Sequence, residues 1–360
     1  MSALTDQQFM HTALALAARG LGDTWPNPAV GCVIVNDGVV VGRGWTQSGG
    51  RPHAETEALR RAGKAARGAT AFVTLEPCSH HGKTPPCADA LIAAGVLRVV
   101  SATIDPDPRV SGQGLAKLRA AGIEVLEGVG KAEADKLNAG FFSRITSRRP
   151  IFALKTATSL DGRIALASGE SKWITGEQAR QAVQGIRAQY DAILVGSETV
   201  VQDDPELTCR LVGYEGRPKV RIVLDRRLRT SLDRKLVQTA KTVPTWIYST
   251  QRPSAALEQS GAIVMTLSAD PDGFIAAVAS DLAAKGMTRV LIEGGGQVAA
   301  AFLKMGLIED IYWFRGAQVL GADARPSVAA LSLDQLTKAP HFKRTNSMRL
   351  DQDFLEILRR

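Results

Sequence analysis

The first part of the chain alternates between helical and strand-like patterns of apolar residues. Apolar positions recur at helical spacing over residues 5–20, 53–66, 87–94, 114–121 and 132–144. Short apolar runs, typical of buried strands, occupy residues 29–35, 39–45, 69–75, 97–103 and 123–126. Asn36, Asp37 and Gly38 join the first two runs, which is a strong hairpin signal. The pattern predicts a mixed sheet between helices.

The alternation restarts after a basic stretch at residues 147–150 that ends in a proline. We place a domain boundary there, between residues 1–147 and 148–360. Beyond it, strands are predicted at residues 151–155, 191–195, 220–224, 245–248 and 290–293. Helices are predicted at residues 177–190, with Thr175 as the cap, and at 271–285 and 297–304. A late apolar run at residues 311–314 predicts an antiparallel strand. Both halves therefore read as α/β.

Bulk composition narrows the class of protein and of partner. The chain has 360 residues, is 45% hydrophobic, and contains no apolar run of the roughly 18 residues that a membrane span needs. Its first twenty residues lack the layout of a signal peptide, so a cytoplasmic location is predicted. The net charge is +8, but the basic residues are scattered and not interleaved with aromatic ones. This favours a solvated surface or small phosphorylated substrates over nucleic acid.

Four residues form the chemically most specific pattern. His53 and Glu55 stand two positions apart, and Cys78 and Cys87 follow with eight residues between them. One His and two Cys can bind Zn²⁺ and leave a fourth position open for water, while the glutamate carries protons. This constellation is typical of zinc nucleobase deaminases, although those of nucleic acids and cytidine close with C-x-x-C. The alternative is a structural zinc site.

A structural site generally has four protein ligands. His80 or His81 could supply the fourth ligand, but such a site has no use for the carboxylate of Glu55. We therefore expect these two histidines to line a substrate pocket.

A glycine-rich turn marks the second half. The predicted strand at residues 290–293 runs into Gly294, Gly295 and Gly296 and then into a helix, whose N-terminal amides can bind a phosphate. The spacing is not that of the G-x-G-x-x-G fingerprint, which argues against a Rossmann domain. By itself a run of three glycines is more often a structural turn.

Longer motifs resemble one enzyme family. These motifs are NPAVG from Asn27, HAE from His53, TLEPCSHHGKTPPC from Thr74, SLDGR from Ser159, GESKWIT from Gly169 and DDP from Asp203. Together they resemble the bifunctional riboflavin-biosynthesis deaminase/reductase over essentially the whole chain. The resemblance implies a zinc-dependent pyrimidine deaminase domain of cytidine-deaminase-like fold at residues 1–147. It implies an NADPH-dependent reductase domain of dihydrofolate-reductase-like fold at residues 148–360.

The resemblance also implies two successive reactions. The first is hydrolytic deamination of 2,5-diamino-6-ribosylamino-4(3H)-pyrimidinone 5′-phosphate. The second reduces the ribosyl side chain and gives 5-amino-6-ribitylaminouracil 5′-phosphate. The implied cofactors are one Zn²⁺ per chain and NADPH, and the implied assembly is a homo-oligomer, a dimer or a tetramer.

Residue roles carry over by position. Glu55 would be catalytic, His53, Cys78 and Cys87 would bind the metal, and Asn27, His80 and Lys83 would contact the deaminase substrate. The dinucleotide would be held by Ala157, Trp173, Thr199, Asp203, Gly294, Gly295 and Gly296. The reductase substrate would be held by Ser171, Arg187, Leu207, Arg210 and Glu293, with Lys155 or Asp203 as a possible proton donor. Thr46 departs from the family, which usually has a histidine there.

Two other hypotheses are compatible with parts of the sequence. A polynucleotide deaminase, acting on tRNA through a C-terminal binding module, would share the His-Glu-Cys-Cys pattern. The eight residues between Cys78 and Cys87 and the lack of a basic, aromatic stripe weigh against it. A regulatory protein with a purely structural zinc site is disfavoured by Glu55.

Overall fold

Two structural units divide the computed structural model, Met1–Arg149 and Pro150–Arg360. The structure describes residues 5–80, 85–108, 110–267 and 273–360. In this described part of the chain, no helix is both long enough and apolar enough to cross a membrane.

The first unit is built on a five-stranded mixed sheet. Its strands are β1 Gly31–Asn36, β2 Val39–Trp45, β3 Thr70–Val73, β4 Arg98–Ser101 and β5 Glu124–Glu127, in the order β2-β1-β3-β4-β5. β1 is antiparallel to β2 and β3, whereas β3, β4 and β5 are parallel. The helices are α1 Asp6–Ala18, α2 Ala54–Ala62, α3 Cys87–Ala93, α4 Gln113–Ala120, α5 Lys131–Leu137 and α6 Ala139–Thr146. The predicted mixed sheet between helices is confirmed.

Both faces of this sheet are covered, which explains why β1 is apolar throughout. Cys32 and Ile34 belong to an apolar cluster shared with α2, α3 and α4. Val33 and Val35 belong to a second cluster, shared with α1 and α5. Alternate side chains of a strand point to opposite faces of the sheet, so a strand between two helical layers must be apolar at every position.

One predicted helix of this unit is two helices. Residues 132–144 were expected to form one helix, but α5 ends and α6 begins at Asn138, whose φ of −96° and ψ of 13° interrupt the helix. The side chain of Asn138 bonds to a loop far away in sequence, which periodicity cannot reveal.

The second unit contains a nine-stranded sheet. Its strands are β6 Ile151–Thr158, β8 Ala192–Gly196, β9 Val220–Leu224, β10 Thr245–Ser249, β11 Ile263–Thr266, β12 Arg289–Ile292, β13 Ile308–Arg315, β15 Lys343–Leu350 and β16 Asp353–Arg359. A separate ribbon pairs β7 Arg163–Ala165 with β14 Arg325–Pro326. The helices are α7 Glu177–Ala188, α8 Ser197–Asp203, α9 Lys235–Gln238, α10 Ala255–Gln259, α11 Phe274–Ala284 and α12 Gly296–Lys304.

The large sheet is parallel except at one edge. Its order is β11-β10-β9-β8-β12-β6-β13-β16-β15, and neighbours are parallel from β11 through β13. The predicted antiparallel strand at residues 311–314 is therefore only half right, since β13 is parallel to β6 and antiparallel to β16. The strands β15 and β16 were missed, and β15 gave no apolar pattern because it is polar and almost fully exposed.

The expected cap of α7 is also wrong. Gly176 occupies the cap position, and no side chain caps the helix. The backbone amide of Gly176 instead donates to Asp353 Oδ2 at 2.7 Å, while the carbonyl of Thr175 accepts from Arg180. A carboxylate from β16, distant in sequence, replaces the local cap.

Candidate active sites

Three potential metal ligands converge in the first unit. His53 is the N-cap residue of α2, Cys87 is the first residue of α3, and Cys78 lies in the loop after β3. His53 Nδ1 lies 3.3 Å from Cys87 Sγ and 3.7 Å from Cys78 Sγ. All three ligand atoms lie within 4.8 Å of one another. Among the described residues this cluster has three members, so His80 is not part of it, and His81 lies outside those residues.

The electrostatics of the cluster suit a cation. Hydrogen bonding from the Cys87 thiol, assisted by His53 and the Cys87 backbone amide, lowers the pKa of the Cys78 thiol to about 4, although burial opposes this. The same hydrogen bond to Cys78, together with burial, raises the pKa of Cys87. One nitrogen and two sulfurs at these distances form a donor set that fits Zn²⁺.

Glu55 lies beside the ligands in the first turn of α2 and is buried, with 3% of its surface exposed. Burial raises the pKa of its carboxyl, and the His53 imidazole opposes that shift. The spacing of two residues thus places a carboxylate and a ligand on one helix start, as the sequence predicted.

A cavity of about 130 Å³ opens onto this cluster. Its walls include Asn27, Pro28, Thr46, Arg51, His53, Glu55, Cys78, His80, Asp105, Phe141 and Arg144. Of the predicted substrate contacts, the structure brings Asn27 and His80 to the cavity. Lys83 lies outside the described residues.

Glu76, which lies in the same sequence motif as Cys78, has a structural role. Its carboxylate accepts hydrogen bonds from the backbone amides of Gly112 and Gly114, both at 2.8 Å, at the start of α4. A buried carboxylate at a helix N-terminus satisfies amides that lack intrahelical partners. Glu76 therefore anchors α4 against the loop that carries Cys78, a role that sequence reasoning missed.

A larger cavity of about 940 Å³ lies in the second unit. It opens where the parallel strands β8, β9 and β12 reach their carboxyl ends, the usual ligand position in open α/β sheets. The predicted residues that line it are Lys155, Ala157, Ser171, Trp173, Thr199, Asp203, Glu293, Gly294, Gly295 and Gly296. Positive charge that sequence reasoning missed comes from Lys172, Arg180, Arg227, Arg229 and Arg325.

The three glycines between β12 and α12 have steric reasons to be glycine. A Cβ on Gly294 would lie 2.8 Å from Thr199 Oγ1, and one on Gly296 would lie 2.5 Å from the Pro326 carbonyl oxygen. Gly295 has a φ of +66°. Within the described part of the chain, the amides of residues 294–298 have no acceptor. This cradle fits an anionic group at the start of α12.

Three predicted substrate contacts do not line the cavity. Arg187 is buried and makes two hydrogen bonds to Glu293, at 2.6 and 2.8 Å, and a third to the Thr208 carbonyl oxygen at 2.7 Å. Leu207 packs in an apolar core cluster. Arg210 is exposed and pairs with Glu206 at 3.0 Å.

Lys155 is a half-buried cation that lines this cavity. Burial lowers the pKa of its amine, while Glu293 opposes the shift. Its Nζ lies 5.8 Å from the centre of the Phe314 ring. An amine in this setting, beside the Arg187–Glu293 pair, can exchange a proton more readily than an exposed lysine.

Comparison with known proteins matches each of the two units to a known protein family. Residues 4–103 match the cytidine and deoxycytidylate deaminase zinc-binding region, and residues 150–355 match the RibD C-terminal domain. Riboflavin biosynthesis protein RibD of Escherichia coli (strain K12) is 44% identical, over 94% of this chain and 95% of its own. The chain belongs to the RibD family.

Solved RibD structures share the whole architecture. Acinetobacter baumannii RibD, form 1, is 41% identical with a TM-score of 0.91, and 98% of each chain is covered. The diaminohydroxyphosphoribosylaminopyrimidine deaminase/5-amino-6-(5-phosphoribosylamino)uracil reductase from Thermotoga maritima is 37% identical with a TM-score of 0.87, again over 98% of each chain. The RibD fold therefore extends over both units of this chain.

Proposed function

We propose that the first unit performs the deamination and the second the reduction of a bifunctional enzyme. Membership of the RibD family makes the chain a deaminase and reductase of riboflavin biosynthesis, with Zn²⁺ and NADPH as cofactors. The observation that carries the assignment is that the His53, Cys78 and Cys87 cluster, with Glu55 beside it, lies within residues 4–103, whereas the larger cavity lies within residues 150–355.

In the deaminase, His53, Cys78 and Cys87 would hold the zinc. Bound zinc lowers the pKa of a water molecule toward about 7. Glu55 accepts a proton from the attacking water and delivers it to the departing ammonia, since its buried carboxyl reaches the same cavity as the ligands. Asn27, His80 and Lys83 would orient the substrate.

In the reductase, the amides at the start of α12, together with Ala157, Trp173, Thr199 and Asp203, would hold NADPH. The nicotinamide supplies the hydride. Ser171 and Glu293 face the same cavity and contact the sugar, and Arg187 acts by holding the Glu293 carboxylate in place.

The proton donor of the reduction, and two predicted substrate contacts, complete the proposed site. Lys155 and Asp203 both line the cavity, and the half-buried Lys155 is the less exposed of the two. Arg210, which is exposed and pairs with Glu206, would contact the phosphate, while the side chain of Leu207 is occupied by the core and leaves only its backbone for a ligand.

The substrate we propose is the phosphorylated pyrimidine ribotide predicted from the sequence, and basic residues at both cavities suit its charge. A tRNA deaminase is not favoured, since residues 150–355 match the RibD C-terminal domain. Homo-oligomeric assembly and a cytoplasmic location stay predictions from the sequence.

The test is a coupled assay on zinc-loaded protein with the diaminopyrimidinone ribotide and NADPH. Ammonia release and loss of NADPH absorbance are expected together. Ammonia release without NADPH oxidation would contradict the proposed role of the second unit, and zinc-loaded protein that releases no ammonia would contradict that of the first.

A further inference from the structure

A short loop segment before β1 is held by a residue far away in sequence. Asn138 Oδ1 accepts a hydrogen bond from the backbone amide of Ala29 at 2.9 Å, and Asn138 Nδ2 donates to the carbonyl oxygen of Ala29 at 3.0 Å. Both residues are buried, each with 3% of its surface exposed. One side-chain amide thus satisfies both polar groups of one backbone residue.

The next two residues are held in the same way. The backbone amide of Thr46 donates to the Val30 carbonyl at 2.9 Å, and its hydroxyl accepts from the Val30 amide at 3.0 Å. Thr74 does the same for Gly31, with both distances at 3.0 Å. These two partners combine a backbone and a side-chain contact, whereas Asn138 acts through its side chain alone. Substitution of Asn138 can therefore remove the whole contact.

Asn138 forgoes a local role to make this contact. It is the N-cap residue of α6, a position where asparagine usually accepts a bond from the first turn of its own helix. Its side chain makes no such bond. It also lies beyond residues 4–103, the segment that matches the deaminase zinc-binding region. The contact is thus supplied by a part of the chain that this match does not cover.

The segment held in this way borders the deaminase cavity. Asn27 and Pro28 line the cavity, and Asn27 Nδ2 donates to the Gly50 carbonyl at 3.2 Å. At the other end of the segment, Arg144 Nη2 donates to the Pro26 carbonyl at 3.1 Å. Residues of and next to α6 therefore hold the segment on both sides of Asn27.

We propose that Asn138 is a positioning residue of the deaminase site, which fixes the backbone that carries Asn27. The proposal rests on the proposed role of Asn27 in substrate binding. Its physical basis is that a displacement of about 1 Å in a substrate-orienting group can cost about a hundredfold in rate. Loss of both hydrogen bonds to Ala29 frees the backbone two residues from Asn27.

The test is a double-mutant cycle with Asn27→Ala, Asn138→Ala and the double variant, in the zinc-loaded full chain. Each single variant is expected to lower kcat/KM for ammonia release by about tenfold or more. The double variant should be no worse than Asn27→Ala alone, since Asn138 acts through Asn27. Zinc content, and NADPH oxidation with the deaminated ribotide, should match the wild type. Asn138→Asp, which keeps the acceptor but not the donor, should lie between and serves if Asn138→Ala does not fold.

The matched control is Asn36→Ala. Asn36 also donates to backbone carbonyls, those of Ala65 and Arg67, but at the far end of β1. It should leave kcat/KM unchanged. An equal loss in Asn36→Ala would reduce Asn138 to general support of the fold, and fully additive losses in the double variant would overturn the proposal. Wild-type kinetics in Asn27→Ala would instead remove the proposed role of Asn27, and with it the positioning role.

Discussion

The two cavities are built on opposite plans. The deaminase cavity, about 130 Å³, gathers three ligands and one carboxylate around a single point. The reductase cavity, about 940 Å³, draws its walls from several strand ends, the loop before α12 and residues near β14. A metal site needs all its ligands together, whereas an extended cofactor spreads its binding over many contacts. Single substitutions should therefore be close to all-or-none in the first and graded in the second.

The largest effect is expected for Cys87→Ala. It should abolish zinc binding and lower ammonia release by at least about a thousandfold, since a catalytic metal contributes several kcal/mol to the transition state. Zinc analysis and an ammonia assay check this. Cys32→Ala is the matched control, because Cys32 is equally buried in the same unit but outside the ligand cluster. A zinc-containing, active Cys87→Ala protein would break the comparison.

Glu293→Gln tests the buried ion pair between Arg187 and the cavity-lining Glu293. The Arg187 and Glu293 side chains are only 11% and 7% exposed, and breaking a buried pair costs about 3–5 kcal/mol. Calorimetric unfolding at neutral pH should show this loss in the second unit. An unchanged unfolding temperature would mean that the pair does not support the cavity wall.

The stability difference between the wild type and Glu293→Gln should depend on pH. Burial alone would raise the pKa of Glu293, but Arg187 lowers it below the ordinary value. A carboxyl with a lowered folded-state pKa stabilises the fold above its unfolded pKa, about 4.3, and this contribution is lost as the pH falls through the folded-state pKa. The stability gap between wild type and Glu293→Gln should therefore narrow in acid. A gap that widens there would contradict the lowered pKa.

A graded effect is expected in the glycine loop. Gly294→Ala brings a methyl group within 2.8 Å of Thr199 Oγ1 and should weaken NADPH binding about tenfold, or about 1.4 kcal/mol, while leaving zinc and deamination intact. Titration of NADPH fluorescence measures it. Gly185→Ala is the control, since a Cβ there meets nothing within 4 Å and alanine favours the helix α7. Complete loss of binding in Gly294→Ala would mean that this site is as all-or-none as the zinc site.

The smallest effect is expected at Thr46. Thr46→Val leaves the buried amide of Val30 without its acceptor and should cost about 1 kcal/mol of stability in the first unit. Thr46→Ser keeps the hydroxyl and should cost less. A loss in Thr46→Ser but not in Thr46→Val would show that the methyl group, not the hydrogen bond, accounts for the contribution of Thr46.

The sequence predicted what depends on local order. The alternation of apolar runs gave the two α/β units, and the His53–Glu55 spacing placed a ligand and a carboxylate on one helix start. The sequence did not predict contacts between residues that are distant along the chain. Asn138 ends α5 because of a bond to Ala29, and Gly176 is held by Asp353. Neither hydrogen bond changes the spacing of apolar residues along the chain, so the sequence pattern cannot reveal it.

Polar and charged residues made one strand and one buried ion pair difficult to predict. β15 is mostly polar because one edge of the large sheet is exposed, so no apolar run indicated a strand there. Arg187 was predicted to hold the reductase substrate, yet it is buried against Glu293, a partner 106 residues away. Buried charge of this kind cannot be told from surface charge without the fold.

The most direct test of two separate sites in one chain is an assay of the Glu55→Gln variant. Each ribotide is supplied in turn with NADPH, and the zinc content of the protein is measured. With the diaminopyrimidinone ribotide, ammonia release should fall by about a hundredfold to ten-thousandfold, and NADPH oxidation should fall with it. With the deaminated ribotide, NADPH oxidation should proceed at the wild-type rate. Loss of NADPH oxidation with the deaminated ribotide, in protein that retains its zinc, would contradict the account.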